Sequence, residues 1–253
     1  MGAVELEARG PLRIVRVVRP EARNALDLAM LRSLTRVARS LRRDRDARVV
    51  MLTGSHGFFV AGGDLRAFAN VRTAAGARRL AAHGYEVVEA FRAIGAPVVA
   101  GLNGDAYGGG CELAAACDYR IMAASAKLHW VQQRFAVTTA WGGTSRLVHE
   151  CGAGVATRWL LTAAAVSAQE AHAAGFAHEI VPDASAVEAH ALAFAERVAE
   201  IPRVATKRQL ELLRDIPGRT AADARDLEGR AFGRGWATKA HHEAVAKFHS
   251  RAR

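Results

Sequence analysis

NGDAYGGGCELAAACDYRIM, residues 103–122, decides the fold class and marks the chemistry. Three consecutive glycines, Gly108 to Gly110, stand just ahead of Glu112, and an Ala-rich run leads into CDYRIM, which reads as a strand. A glycine run that opens an apolar helix lets a ligand approach the backbone closely, because no Cβ is in the way. The first turn of a helix also presents N–H groups with no intrahelical partner, beside the positive end of the dipole. Such amides suit a developing oxyanion, and a carboxylate about one turn away is placed to move a proton. The segment reads as a catalytic centre for carbonyl or thioester chemistry.

Outward from this stretch, strands and helices alternate. PVVAGLNG (97–104) precedes it as a buried strand, and LRIVRVV (12–18) and VVMLTG (49–54) are apolar runs ending at turn signals. Between the last two, Asp27 opens a helix. Its apolar positions Met30, Leu31, Leu34, Val37, Ala38 and Leu41 recur at helical spacing, with arginines on the other face. Strand, helix, strand, helix order predicts an α/β layer architecture. From about residue 142 onward the pattern reads almost wholly as helix, over 143–150, 153–162, 167–174, 185–199, 202–214, 219–231 and 239–251. The sequence therefore divides into an α/β core, residues 1–195, and a helical C-terminal region, residues 196–253.

The chain has 253 residues, 51% of them hydrophobic, enough to bury a sizeable core without staples. Cys111, Cys117 and Cys151 form no CxxC pair and no disulfide framework, which argues against a metal site and fits a reduced, cytoplasmic setting. No signal-peptide pattern and no bilayer-length apolar run is visible, so no membrane partner is expected. The formal net charge is +10. An Arg-rich solvated surface accounts for it, and an anionic ligand or nucleic acid are the functional alternatives. The basic residues are scattered, and no basic stripe is interleaved with aromatics, which argues against nucleic acid.

A second glycine turn lies upstream, in FFVAGGDLRAF (58–68). A short strand runs into AGGD, and LRAF begins a helix with Asp64 as N-cap. With RPEARNAL (19–26), AGGD, GGGCEL and AWGGTSRL (140–147) in this order, the chain resembles the crotonase superfamily of enoyl-CoA hydratases and isomerases. The resemblance runs nearly end to end. It implies the crotonase spiral core of ββα units, with C-terminal helices for oligomerisation as a trimer or a pair of stacked trimers. It implies that the N–H groups of Gly63 and Gly109 hold a thioester oxygen and that Glu112 is the catalytic carboxylate. Arg23 and Ala25 fall in the early CoA-contacting loop. Ala61, Asp64, Leu65 and Arg66 flank the first oxyanion glycine, and Tyr107 and Gly108 flank the second. Phe232 and Arg251 fall where relatives place an aromatic and a basic residue against the CoA nucleotide. Coenzyme A is part of the substrate, and no separate cofactor is implied.

The sequence departs from the hydratases at one position. Their second glutamate lies about ten residues before the GGT turn, and Gln132 occupies that place here. Glutamine can hold a water or a carboxylate, but it is no general base. Glu112 is then the single acid/base. Isomerisation, decarboxylation and enolate protonation need fewer groups than hydration does. The CDYR strand and the WGGTSRL turn also resemble the ethylmalonyl-CoA decarboxylase branch, so decarboxylation of a malonyl-type CoA is an alternative. An RNA-binding homologue is the alternative from another class, motivated by charge alone. Other polar candidates near the site are His83, His129, Trp130, Gln133, Arg134, Thr138 and Thr139, with Trp141 read as packing.

Overall fold

The computed structural model describes residues 2–251, with side chains through 245. The chain divides into two compact units at Glu196/Arg197. The first unit is the α/β one. Strands β1 (Ala3–Arg9) and β2 (Leu12–Val18) form an antiparallel hairpin, and α1 (Leu28–Leu41) leads on to β3 (Val49–Thr53). Helix α2 (Ala74–Arg92) is followed by β4 (Val98–Leu102), the short β5 (Ala106–Tyr107), α3 (Gly109–Ala116) and β6 (Tyr119–Ala123). Next come β7 (Lys127–His129), α4 (Gly143–Thr162), β8 (Ala165–Ser167), α5 (Ala168–Ala173), β9 (Glu179–Val181) and α6 (Ala186–Ala199).

Six strands make the main sheet in the order β1-β2-β3-β4-β6-β9, parallel from β2 onward. A small second sheet has the order β5-β7-β8. Every residue of β3 and β4 is buried, as expected for central parallel strands covered on both faces. Helix α1 buries Met30, Leu31, Leu34, Ala38 and Leu41, and its N-cap Asp27 accepts a hydrogen bond from Met30 N at 2.9 Å. This is the α/β order that the sequence predicts.

Three local expectations fail. Residues 58–60 are not a strand but an isolated bridge, Phe58 to Asp105, and the residues after Asp64 form turns rather than a helix. Asp64 still caps, accepting from Arg66 N and Ala67 N, but the capped turn does not propagate. The stretch from 142 is not all helix, because β8 and β9 interrupt it. Each is only three residues long, so periodicity does not mark them; β9 is a strand because it pairs with β6. The expected helices 143–150 and 153–162 run together as α4, broken at Gly152, which is left-handed at φ 80°. The exposed, charge-rich β1 was not expected at all; pairing with β2 makes it a strand.

The second unit holds α7 (Arg203–Asp215), α8 (Ala221–Trp236) and α9 (Lys239–Arg251). It leaves Leu213, Phe232 and Trp236 exposed. No helix among the described residues is long and apolar enough to cross a membrane.

Candidate active site

The first glycine turn is built on a buried asparagine. Arg23 and Asn24 both have left-handed backbone, with φ of 52° and 62°. Asparagine tolerates this region better than most residues. The fully buried Asn24 side chain donates to the carbonyls of Ser55, Phe58 and Phe59 and accepts from Arg19 N and Ser55 Oγ. It thereby pins the early loop to the approach of AGGD. Ala61 N donates to Arg23 O at 3.1 Å, Leu26 N to Gly62 O at 2.7 Å, and Asp64 N to Leu26 O at 3.0 Å. Gly62 and Asp64 both face Leu26. Since successive residues of an extended chain point opposite ways, the Gly63 N–H faces away from that pairing, and Gly63 lines the cleft.

The second turn starts α3. Gly108 is the N-cap with φ 49°, so Gly109 is the first helical residue and its N–H has no intrahelical acceptor. The two turns approach closely. A Cβ on Gly62, whose φ is +83°, would stand 2.8 Å from Tyr107 O and 2.9 Å from Gly109 N. One on Gly110 would stand 1.9 Å from Val60 O. The glycines are therefore what allows the two turns to pack against each other.

Glu112, one turn into α3, is 3% exposed. Its Oε2 accepts from Trp141 N at 2.7 Å, Gly143 N at 2.9 Å and Ala140 N at 3.1 Å. Its Oε1 accepts from Gln132 Nε2 at 3.1 Å. All of these partners are neutral donors, and the GGT turn supplies much of the set. Asp64 is held differently. Burial would raise its carboxyl, but hydrogen bonds from Ala67 N, the Arg19 guanidinium and Arg66 N outweigh that and hold it below the usual carboxylate range. Arg19 Nη1 lies 2.8 Å from Asp64 Oδ2.

Between the turns lies a cleft of about 650 Å³. Ala61, Gly63, Leu65, Gly108, Gly109, Glu112 and Gln132 line it, with Ala77, Leu80 and Ala81 of α2 forming one side. Trp141 forms the floor. A Cβ on Gly84 would meet its ring at 2.0 Å and a Cβ on Gly109 at 2.4 Å, so the indole is wedged between α2 and α3. Leu65, Phe135 and Val137 also line the cleft while 60%, 55% and 54% exposed, which gives it an apolar mouth.

Several expected site residues are not among those that line the cleft. Tyr107 does not line the cleft: its ring stacks on His129 at 4.2 Å, and its hydroxyl donates to Asp105 at 3.0 Å. Arg23 is exposed, with its guanidinium 5.4 Å from the Phe58 ring centre. Arg66 is exposed, and Ala25 presents its carbonyl to Arg19. Phe232 belongs to α8 of the second unit, its ring tilted against Trp236 at 5.3 Å, and the side chain of Arg251 lies outside the described residues. Sequence reasoning missed Asn24, the Arg19–Asp64 pair and the α2 wall. Asn24 had a signal: a lone amide inside a motif already singled out. Among the described residues no cluster of His, Cys, Asp and Glu gathers as metal ligands.

Comparisons with known proteins bear on the family and the fold. The enoyl-CoA hydratase/isomerase family model matches residues 8–253. A short-chain-enoyl-CoA hydratase from Clostridium acetobutylicum is 30% identical over 246 residues, covering 97% of this chain and 94% of the relative. A crotonyl-CoA hydratase from Syntrophomonas wolfei is 37% identical over 177 residues, 70% of this chain and 68% of the relative. The crystal structure of an enoyl-CoA hydratase from Bacillus anthracis superposes with a TM-score of 0.92 at 29% identity, covering 98% of this chain and 96% of that one. The fold is the crotonase fold, and the chain belongs to the enoyl-CoA hydratase/isomerase family.

Proposed function

We propose that this protein acts on an acyl-CoA thioester through an enolate, with the N–H groups of Gly63 and Gly109 as oxyanion donors and Glu112 as the only proton-transferring carboxylate. The thioester oxygen becomes negative as the enolate forms. Two fixed amides in a dry cleft stabilise that charge by roughly 3–4 kcal/mol for each donor. Glu112 then moves a proton to or from the carbons held beside it. The carrying observation is the contact of Gln132 Nε2 with Glu112 Oε1 at 3.1 Å. An amide stands where a second base would be needed to activate water. It orients the carboxylate, and it takes no proton itself.

Proton transfer along an enoyl chain is the chemistry this arrangement performs with fewest groups, so double-bond isomerisation is favoured over hydration. Loss of carbon dioxide from a malonyl-type CoA is the second reading: it requires the oxyanion donors and a proton source, and both are present. The exposed Leu213, Phe232 and Trp236 of the helical unit support assembly into a trimer or a pair of trimers. The test is to incubate the protein in D₂O with enoyl-, 3-hydroxyacyl- and malonyl-type CoA esters. Products are separated by chromatography and weighed by mass spectrometry. Shifted or deuterated esters, with slow addition of water to crotonyl-CoA, are the expected result. Fast hydration of crotonyl-CoA would overturn the preference for isomerisation and show Glu112 working on a water held by Gln132, and no change in any ester would overturn the assignment altogether.

A further inference from the structure

The carboxylate of Glu112 is held by a turn, and that turn is itself held. Its amides serve the carboxylate: Ala140 N, Trp141 N and Gly143 N all donate to Glu112 Oε2. Its carbonyls are taken by residues of α4. Gly142 O accepts from Ser145 Oγ at 3.1 Å and from Arg146 N at 3.2 Å, and Trp141 O accepts from Arg146 Nη1 at 2.7 Å. Trp141 is therefore gripped twice, with the carboxylate on its N–H and the guanidinium on its carbonyl. Both bonds involve a charged group, which makes them stronger than bonds between neutral partners.

Burial works against a cation at this place. The Arg146 side chain is only 16% exposed, and its Nη2 lies 3.8 Å from Oε1 of the half-exposed Glu89 on α2. Tyr85, Glu89 and Arg92 of α2 and Glu112 of α3 are the charged and titratable groups that act on it. Burial first, and then the like charge of Arg92, push the guanidinium below its ordinary value. A side chain that only covered surface would do better without the charge. The backbone is also fitted to it. Gly142 has a φ of 88°, and a Cβ there would stand 2.2 Å from Arg146 Nη1. The left-handed turn and the guanidinium thus each require glycine at this point.

We propose that Arg146 is a positioning residue for the reaction: its guanidinium clamps the turn at Trp141 and so holds Glu112 in the geometry that moves the proton. The role in turnover rests on the assignment of Glu112 above; the clamp itself does not.

The experiment compares the whole chain with Arg146→Met, which keeps the stem and removes the donor, and with Glu112→Gln. The readouts are isomerisation of 3-hexenoyl-CoA and ¹H–¹⁵N NMR of the Trp141 and Gly143 amides. Arg146→Met should lower kcat roughly 10–100-fold, the scale of a misplaced catalytic group, and leave KM within about twofold. Both amide signals should move upfield as their bonds to Glu112 loosen. The Trp159 indole N–H, bonded to Glu170 at 2.7 Å elsewhere on α4, should stay in place. Unmoved amides, or a kcat within about twofold of the parent whatever the loss of stability, would make Arg146 purely structural and overturn the proposal. So would a loss confined to KM. Should Arg146→Met fail to fold, Arg146→Lys, which keeps the charge and gives up the planar fork, takes its place with the same expectations. Failure of both to fold also overturns the proposal. If the parent protein leaves 3-hexenoyl-CoA unchanged, or Glu112→Gln converts it at full rate, the assignment of Glu112 fails instead. The amide signals alone then decide for or against the clamp.

Discussion

Asp64 and Glu112 are the buried carboxylates of the two glycine turns, and their surroundings differ in kind. Asp64 faces a guanidinium and two amides, and its charge is pinned. Glu112 faces backbone amides and one side-chain amide, with no cation among its hydrogen-bond partners. A carboxylate paired with arginine is a structural anion, because protonation would strand the partner charge. One ringed by neutral donors is fixed in place with no opposite charge paired to it. Under the proposed mechanism the two turns do different work: the first shapes the backbone, and the second also carries the chemistry.

The sharpest way to break this contrast is Glu112→Gln. The new amide oxygen can keep the contacts of Trp141 N and Gly143 N, and its NH₂ can face Gln132 once that amide flips. Shape is therefore retained while proton transfer is lost. Turnover should fall by roughly 10²–10⁴ with ester affinity largely unchanged; full turnover in steady-state assays would end the role given to Glu112.

Next in size is a paired test of the two oxyanion glycines. In Gly109→Ala the new Cβ would sit 2.4 Å from the Trp141 ring, which Gly84 prevents from retreating. Displacement of that helix start should cost about 10²-fold in kcat/KM, the scale of one lost donor. In Gly63→Ala the nearest atom is Phe68 Cε2 at 3.3 Å, the tip of a movable side chain, so kcat/KM should stay within about threefold. Equal losses in both variants would show that the turns are not held differently.

Gln132→Glu should act more gently. It places a second carboxylate beside Glu112, and two like charges at that range do not both ionise freely, so one is pushed up. Crotonyl-CoA hydration should rise several-fold, with a pH–rate profile that gains a second limb. An unchanged profile would show that the 132 side chain does not reach the reacting carbons.

The smallest effect on turnover should come from Asp64→Asn, within about threefold. Its effect falls on stability instead. Removing the carboxylate leaves the half-buried Arg19 without its 2.8 Å partner, which should cost about 1–3 kcal/mol in chemical denaturation. The Asp64 carboxyl lies below its ordinary value of 3.8 in the folded protein. Its contribution is therefore full above that ordinary value and fades as pH falls through the lower, folded one. Acid unfolding of the variant should lack that component.

How much of this the sequence discloses depends on the range of the interaction. The central strands and α1 were legible because their apolar periods are local. Glu112 was legible because glycines, carboxylate and helix sit within one short segment. The turns after Asp64 were not, since a cap marks where a helix starts and says nothing of whether it continues. Strands β8 and β9 were invisible because partners distant in the chain make them strands. The donors around Glu112 were half visible: AWGGT stood out as a motif, but its amides reach Glu112 only through the fold.

The wedged indole of Trp141 has a consequence for where this cleft can be reshaped. With Gly84 on one side and Gly109 on the other, the indole has no slack, and a larger side chain at either position must displace it. The stretch that carries Leu65 and Phe68 is turn rather than helix, and it meets Gly63 only through the tip of a phenylalanine ring. The cleft is rigid on one side and yielding on the other, so substitutions on the yielding side reshape it with the least disturbance.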